Sequence, residues 1–187
     1  MDLPPGSPEP SNVYALVTYL PEPLGSFLNQ LRAELVPGCD LRAHVTVLPP
    51  RPLASEQEAW EQIRRETRRL APVMIELGEV EVFPETQVIF LSLRQGSEEL
   101  HQMHEQLSRN ALAFVEPFAY HPHITLAQGL APEAVSGCRE LAARRWGNYC
   151  GPRSFQLTTM TFVRSADRLE WLDLGQVELG GALVKHP

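Results

Sequence analysis

Two short stretches of the sequence, HVTV and HITL, each place a histidine two residues before a threonine: His44 with Thr46, and His123 with Thr125. Side chains alternate between the two faces of a β-strand, so the imidazole and the hydroxyl of each stretch share one face, and the two apolar residues share the other. The sequence therefore predicts two copies of a polar pair, each anchored from behind by core residues.

A pair of imidazoles with adjacent hydroxyls suits phosphoester chemistry. Opening a cyclic phosphodiester requires one group to take a proton from water and another to give a proton to the leaving oxygen. Histidine performs both tasks because its pKa lies near neutral pH. Threonine hydroxyls donate hydrogen bonds to the non-bridging oxygens, where negative charge sits in the transition state. Such a site needs no metal, and we expect no metal and no cofactor.

One such stretch alone is weak evidence for a catalytic site. The pattern arises by chance at about one histidine in fifty to a hundred on average composition, and the chain has six histidines. Two matches about eighty residues apart, each preceded by a predicted strand and helix, are far less expected by chance. The competing interpretation is a structural or interaction protein with two half-buried strand histidines bonded to the backbone.

The elements around the two stretches follow the same order in both halves of the chain: strand, helix, histidine strand, helix, strand. Pro49 and Pro50 are expected to end the first histidine strand, Gly78 to mark a bulge, and Ser55 to cap a helix. The predicted elements are strand 13–20, helix 24–35, strand 43–48, helix 55–70, strand 73–83, strand 88–93, helix 98–114, strand 123–127, helix 132–145 and strands 154–163 and 169–179, with a turn at 165–168.

The repeated order indicates an internal duplication of pattern. We predict an α+β fold in which two antiparallel sheets, related by a pseudo-twofold, surround a central cleft with helices outside. Residues 12–182 are expected to form a single domain, with pseudo-repeats at about 12–84 and 85–182. The Pro-rich segment 1–11 is predicted to be disordered and 183–187 to be a ragged tail.

The composition of the chain indicates which kinds of partner and compartment are expected. The formal net charge is −7 and the pI is about 5.4, so a grip on a long nucleic-acid duplex is not expected. No stretch is apolar enough to span a bilayer, and the N-terminus lacks the regions of a signal peptide. Three cysteines, an odd number, fit free thiols in a reducing compartment. We predict a cytoplasmic monomer without membrane contact.

The paired motifs, at this separation in a chain of this size, resemble the two-histidine (2H) phosphoesterase superfamily. Within it, the sequence is similar to bacterial RNA 2′,3′-cyclic phosphodiesterases or 2′-5′ RNA ligases. The resemblance extends from about residue 12 to 180 and implies a bilobal, LigT-like fold with both motifs lining a central cleft. It also implies that the catalytic residues are His44, Thr46, His123 and Thr125.

The sequence departs from the ligase-like group after each motif. A basic residue often follows the second motif there, whereas residues 126–128 are LAQ here. Arg51 is a candidate for the missing cation, or else a solvated surface arginine. Phe118 and Tyr120 are candidates for stacking on a base, or else core packing. His101 and His104, at i, i+3 spacing, are interpreted as a solvated helix face.

The sequence therefore predicts a metal-independent phosphodiesterase that acts on a 2′,3′-cyclic phosphate, at an RNA end or in a nucleotide, or on a 2′-5′ linkage. The alternative is a catalytically silent module that holds nucleotides or RNA ends in the same cleft. Which histidine is the acid, and whether the reaction runs toward hydrolysis or ligation, stay open at this level.

Overall fold

The computed structural model describes residues 12–167 and 170–180. These residues form two antiparallel sheets and four α-helices, as the sequence predicts, and each sheet has four strands. The described strands therefore number eight, whereas the sequence predicts seven. The Pro-rich segment 1–11 and the tail 183–187, both predicted from the sequence, lie outside the described residues. The strands are β1 Tyr14–Tyr19, β2 His44–Arg51, β3 Val73–Val82, β4 Ile89–Gln95, β5 Ile124–Ala127, β6 Ser154–Leu157, β7 Thr159–Asp167 and β8 Glu170–Glu178. The helices are α1 Leu24–Leu35, α2 Glu56–Thr67, α3 Ser97–Leu107 and α4 Pro132–Gly147.

The two halves of the chain exchange strands. One sheet has the order β2-β1-β7-β8 and the other β5-β4-β3-β6. Each sheet therefore begins with a histidine strand at its edge and places the first strand of the same half beside it. The next strand comes from the opposite half: β7 lies beside β1, and β3 lies beside β4. Each sheet therefore contains strands from both halves of the chain.

The strand predicted over 154–163 is two strands in different sheets. Residues 154–157 pair with β3, and residues from Thr159 onward pair with β1 and β8. The chain crosses from one sheet to the other at Thr158. Apolar residues occupy 155 and 157 before the crossing and 160 and 162 after it, so the alternation shifts by one residue at Thr158 and Thr159. The prediction of one continuous strand overlooked this shift.

Pro49 and Pro50 do not end β2, contrary to the sequence prediction. The strand runs on to Arg51, which pairs with Tyr14 across a register shift. Proline lacks a backbone N–H and is tolerated at a sheet edge or a bulge, and β2 is an edge strand with a bulge there. The extension places Arg51 inside the protein rather than in a surface turn.

Helix α3 ends at Leu107, seven residues before its predicted end. The side chain of Gln62 on α2 takes over the backbone groups that the helix would have paired. Its amide nitrogen donates to the carbonyls of Leu107 at 3.2 Å and Arg109 at 2.7 Å, and its oxygen accepts from the Ala111 N–H at 3.0 Å. A buried long-range contact therefore overrides the local helical pattern.

The helices bury apolar faces against the sheets and one another. Leu28 and Leu31 of α1 are fully buried, and this helix contacts β5 and α4. On α2, the Ser55 hydroxyl accepts from the Glu58 N–H at 3.2 Å, the expected N-cap. On α4, the indole N–H of Trp146 donates to the carbonyl of Gly78 at 2.8 Å, where β3 shifts register. In the described part of the chain, no helix has the length and apolar character needed to span a membrane.

Candidate active site

The two histidine strands lie against each other at the centre of the molecule. β2 and β5 are the edge strands of their respective sheets, and they are in contact. The segment that leads into β5 is also tied to β2, because the hydroxyl of Tyr120 donates to the backbone carbonyl of Thr46 at 2.8 Å. The structure therefore brings both motifs to the junction between the two sheets.

The two imidazoles are held in the same way. The Nδ1 atom of His44 lies 2.7 Å from the carbonyl of Arg42, and the Nδ1 atom of His123 lies 2.6 Å from the carbonyl of His121. A carbonyl only accepts, so the hydrogen-bond network assigns the proton to Nδ1 in both rings. Nε2 of each neutral ring is then an acceptor. Nε2 of His123 lies 3.2 Å from the hydroxyl of Thr125.

The surroundings of His44 favour its neutral form. Burial is the largest cause, and the charges of Arg32, His123 and Arg42 act in the same direction; together they lower the pKa of His44 to about 4. The hydrogen bond to the Arg42 carbonyl opposes this shift only partly. At neutral pH, His44 is therefore an uncharged ring with an available lone pair on Nε2.

His123 is enclosed by aromatic rings. Phe83 and Phe90 approach it edge-on, with ring centroids 5.1 and 5.4 Å away. Burial is the main cause that lowers the pKa of His123, and the charge of His121 adds to it. His123 immediately precedes β5, the strand that contacts the His44 strand β2.

Arg51 lies in the interior, away from solvent. Its side chain is 1% exposed, and its guanidinium donates to the carboxylate of Glu116 at 2.5 Å, the carbonyl of Leu112 at 2.8 Å and the hydroxyl of Ser108 at 3.2 Å. The interpretation as a solvated surface arginine is wrong, because β2 continues through the prolines and carries the side chain inward. The same placement gives Arg51 partners within the chain and leaves no exposed edge for a substrate.

Tyr120 and Phe118 have different surroundings. The ring of Tyr120 stacks on His104, with centroids 4.0 Å apart and planes 6° from parallel. Burial raises the pKa of Tyr120, with the charge of Glu116 as a smaller cause. These contacts favour the packing alternative for Tyr120. Phe118 is 66% exposed, so its ring is accessible to a ligand.

His101 and His104 do not form a solvated helix face, and that prediction is wrong. Nδ1 of His104 lies 3.0 Å from the carbonyl of Val47 on β2, and Nε2 lies 3.3 Å from the carboxylate of Glu116. Nε2 of His101 lies 3.1 Å from the carbonyl of Tyr120. Both histidines therefore connect α3 to the segments that carry the catalytic candidates.

A polar cluster beside His44 was not apparent from the sequence. The Tyr19 hydroxyl donates to Asp173 at 2.7 Å, and Arg42 donates to the other carboxylate oxygen at 2.5 Å. The Arg42 guanidinium also lies 3.5 Å above the Tyr19 ring, whose edge-to-face contact with His44 spans 6.3 Å. Burial and the Asp173 hydrogen bond raise the pKa of Tyr19 to about 12. Residues so distant in sequence give no local signal.

Removing the Tyr120 hydroxyl should weaken the support of Thr46. We expect Tyr120→Phe to lower the free energy of unfolding by about 1 kcal/mol, the usual net contribution of one hydrogen bond. Turnover should fall by less than about tenfold, because the catalytic groups stay in place. Urea unfolding and initial rates measure the two effects. Tyr19→Phe, which removes an exposed hydrogen bond, is the stability control and should cost less; an equal or larger loss there would contradict this account.

The two sheets, the facing edge strands and the paired histidine motifs are the features expected of a two-histidine phosphoesterase. The chain belongs to the 2′-5′ RNA ligase superfamily, whose family model matches residues 20–168. Among curated proteins, "Putative phosphoesterase BH1439" of Halalkalibacterium halodurans is 25% identical over 133 residues, which cover 66% of this chain and 74% of that protein.

Solved structures share the fold. The E. coli LigT structure with NADP⁺ has a TM-score of 0.60 at 20% identity and covers 89% of this chain and 97% of its own. A second crystal structure, of a phosphoesterase, has a TM-score of 0.58 at 21% identity and covers 89% and 98%. The similarity confirms the predicted LigT-like α+β architecture.

Proposed function

We propose that this protein is a metal-independent phosphodiesterase that hydrolyses a 2′,3′-cyclic phosphate, at an RNA end or in a nucleotide, or a 2′-5′ linkage. The observation that carries the proposal is the matched setting of the two imidazoles. Both Nδ1 atoms are bonded to a backbone carbonyl two residues upstream, at the start of two edge strands that touch. Membership of a superfamily of RNA ligases and phosphoesterases supports an enzyme of this kind.

We propose different roles for the two rings in this mechanism. His44, with its lowered pKa, is the base: its Nε2 takes a proton from water, whose oxygen attacks phosphorus. His123 is the acid: its Nε2–H gives a proton to the ribose oxygen as the P–O bond breaks. The product is a phosphomonoester beside a free hydroxyl. The negative charge of a bound phosphate raises the pKa of His123 and keeps it protonated.

The two threonines complete the proposed site. Thr46 and Thr125 are half-buried and lie on the same strand faces as the two histidines. Their hydroxyls would donate hydrogen bonds to the non-bridging oxygens of the phosphate, where charge develops in the transition state. With both proton transfers assigned to imidazoles, no step of the mechanism calls for a metal.

Small nucleotides or RNA ends are the proposed substrates. E. coli LigT has been solved with phosphate, ATP, 3′-AMP and NADP⁺, and the net charge of this chain, −7, disfavours a long duplex. We propose that Phe118, with its exposed ring, stacks on the base, since base–aromatic stacking is tolerant of sequence. Tyr120 supports Thr46 instead of contacting the base.

A substrate panel tests the proposed reaction. Phosphorus NMR would follow 2′,3′-cyclic mononucleotides, ADP-ribose 1″,2″-cyclic phosphate and 2′-5′ oligonucleotides incubated with the protein. We expect a cyclic phosphate signal to be replaced by that of a phosphomonoester. Tight binding of a cyclic nucleotide without any product after long incubation would contradict hydrolysis and favour the alternative, a silent binding module of the same fold.

The pH profile should reflect the two different pKa values. In the free protein, His44 is neutral above about pH 4, while His123 loses its proton below its usual value of 6.5. Because the base must be neutral and the acid charged, kcat/KM should be highest between these limits and fall on both sides. Initial rates at low substrate concentration would show this. A flat profile from pH 5 to 9 would contradict the assignment.

A further inference from the structure

Arg32 on α1 is a buried cation without an anionic partner in the described chain. Its side chain is 4% exposed. The guanidinium donates to the backbone carbonyl of Thr125 and to the thiol of Cys39 at 3.6 Å, and its Nε has no hydrogen-bond partner. Among residues 12–165 and 171–180, no carboxylate lies within ion-pair distance of it.

Burying a charge is costly unless an opposite charge or several hydrogen bonds compensate it. The chain meets this requirement at Arg51, which is equally buried and has Glu116 at 2.5 Å. At Arg32 it supplies a carbonyl and a thiol, which are weak partners for a full charge. A buried cation of this kind calls for an anion from outside the described residues.

Arg32 contacts the second histidine motif directly. Its hydrogen bond fixes the backbone of Thr125, and its charge is the largest of the charge effects that lower the pKa of His44. The side chain therefore acts on one residue from each motif. The other charged or titratable groups that face His44 are Arg42 on the approach to β2, His123 before β5, and Tyr19 on β1, which is bonded to Asp173 of β8.

We propose that Arg32 is a positioning residue that supplies a fixed positive charge beneath the phosphate site. It holds β5 through the Thr125 carbonyl and is itself compensated when a phosphate group binds. The inference rests on the proposed function only in placing a phosphate between the motifs; it requires binding and does not require turnover.

The unaltered protein provides the first test. In a titration with inorganic phosphate followed by ¹⁵N NMR, the Arg32 Nε–H resonance should shift together with the His44 imidazole, with one dissociation constant. The Arg51 resonance should stay in place, because Glu116 already pairs it. Arg32→Lys assigns the signal. An Arg32 resonance that stays fixed while His44 shifts would overturn the proposal.

Variants of Arg32 distinguish the effect of its charge from the effect of its packing. In Arg32→Met, the midpoint of the His44 titration should rise by about one pH unit, and kcat should fall by about 10²-fold. Arg32→Lys keeps the charge, so the His44 midpoint should stay near that of the unaltered protein, while kcat falls less than in the Met variant. Arg64→Met, on the exposed face of α2, removes a distant charge and should change neither value.

The results distinguish this proposal from the proposed function. An inactive protein in which phosphate still shifts Arg32 and His44 together would reject hydrolysis and support the role of Arg32. An active protein whose folded Arg32→Met variant keeps the wild-type kcat and the wild-type His44 titration would reject the role of Arg32 alone. If Arg32→Met does not fold, the phosphate titration of the unaltered protein still decides the question.

Discussion

Replacing His44 or His123 by alanine should each lower the turnover of a 2′,3′-cyclic nucleotide by about 10²–10⁴-fold, the usual contribution of one positioned proton donor or acceptor. The physical reason is that, in the proposed mechanism, each ring performs one of the two proton transfers. No neighbouring group described by the structure occupies the position of the lost Nε2 with the same hydrogen-bond geometry. The drop should appear in kcat more than in KM, because the threonines of the proposed site would still bind the phosphate.

The controls for this result are a neighbouring histidine and a chelator. His121 is exposed and interacts with His123 mainly through its backbone carbonyl, so His121→Ala should lose less than about tenfold. EDTA should leave the rate unchanged, since neither proton transfer uses a metal. Full activity in either His44→Ala or His123→Ala would remove the two-histidine mechanism.

Arg51→Met should destabilise the fold strongly. Breaking a buried ion pair from one side typically lowers the free energy of unfolding by about 3–5 kcal/mol, because the remaining charge stays buried without a partner. Here the variant would leave the Leu112 carbonyl without its guanidinium, and the Glu116 carboxylate, which is 12% exposed, would keep the His104 imidazole at 3.3 Å but lose its buried arginine. Urea unfolding measures the loss.

The matched control for Arg51 is an exposed ion pair. Arg65 lies 3.0 Å from Glu66, and its side chain is 56% exposed, so Arg65→Met should change the free energy of unfolding by less than about 1 kcal/mol. If Arg51→Met were as mild as this control, the guanidinium of Arg51 would be a substrate contact or a dispensable group rather than a structural one.

The pairing of each histidine with a threonine could be predicted from the sequence because it depends only on local strand geometry. Two residues of one strand face share a side by geometry alone, and this gave His44 with Thr46 and His123 with Thr125 before any fold was known. Helix α1 has the predicted bounds of 24–35 for a similar reason: its apolar residues recur at helical spacing, and Pro37 follows.

What the sequence missed depends on long-range contacts. The end of α3 follows from Gln62 on another helix, and the crossing at Thr158 follows from which sheet each segment joins. His104 appeared solvated because its partners, Val47 and Glu116, lie far away in sequence. Propensity and periodicity describe a segment alone, and tertiary contacts override them.

Arg32 did carry a signal that periodicity could have detected. It lies four residues after Leu28 and three before Leu35, on the buried stripe of α1. An arginine on such a stripe is unusual because charged side chains are seldom buried without a partner. The sequence analysis did not predict the burial of Arg32, because charged side chains usually face water. The position of Arg32 in the helical repeat nevertheless indicated burial.

The central claim is that both imidazoles share one phosphate. The most direct measurement is a titration of ¹⁵N-histidine-labelled protein with a 3′-nucleotide, with the Nε2 resonances of His44 and His123 followed by NMR and assigned with the alanine variants. We predict that both resonances shift together, with a single dissociation constant and one nucleotide bound per chain. A shift of only one ring, or two separate dissociation constants, would contradict the account.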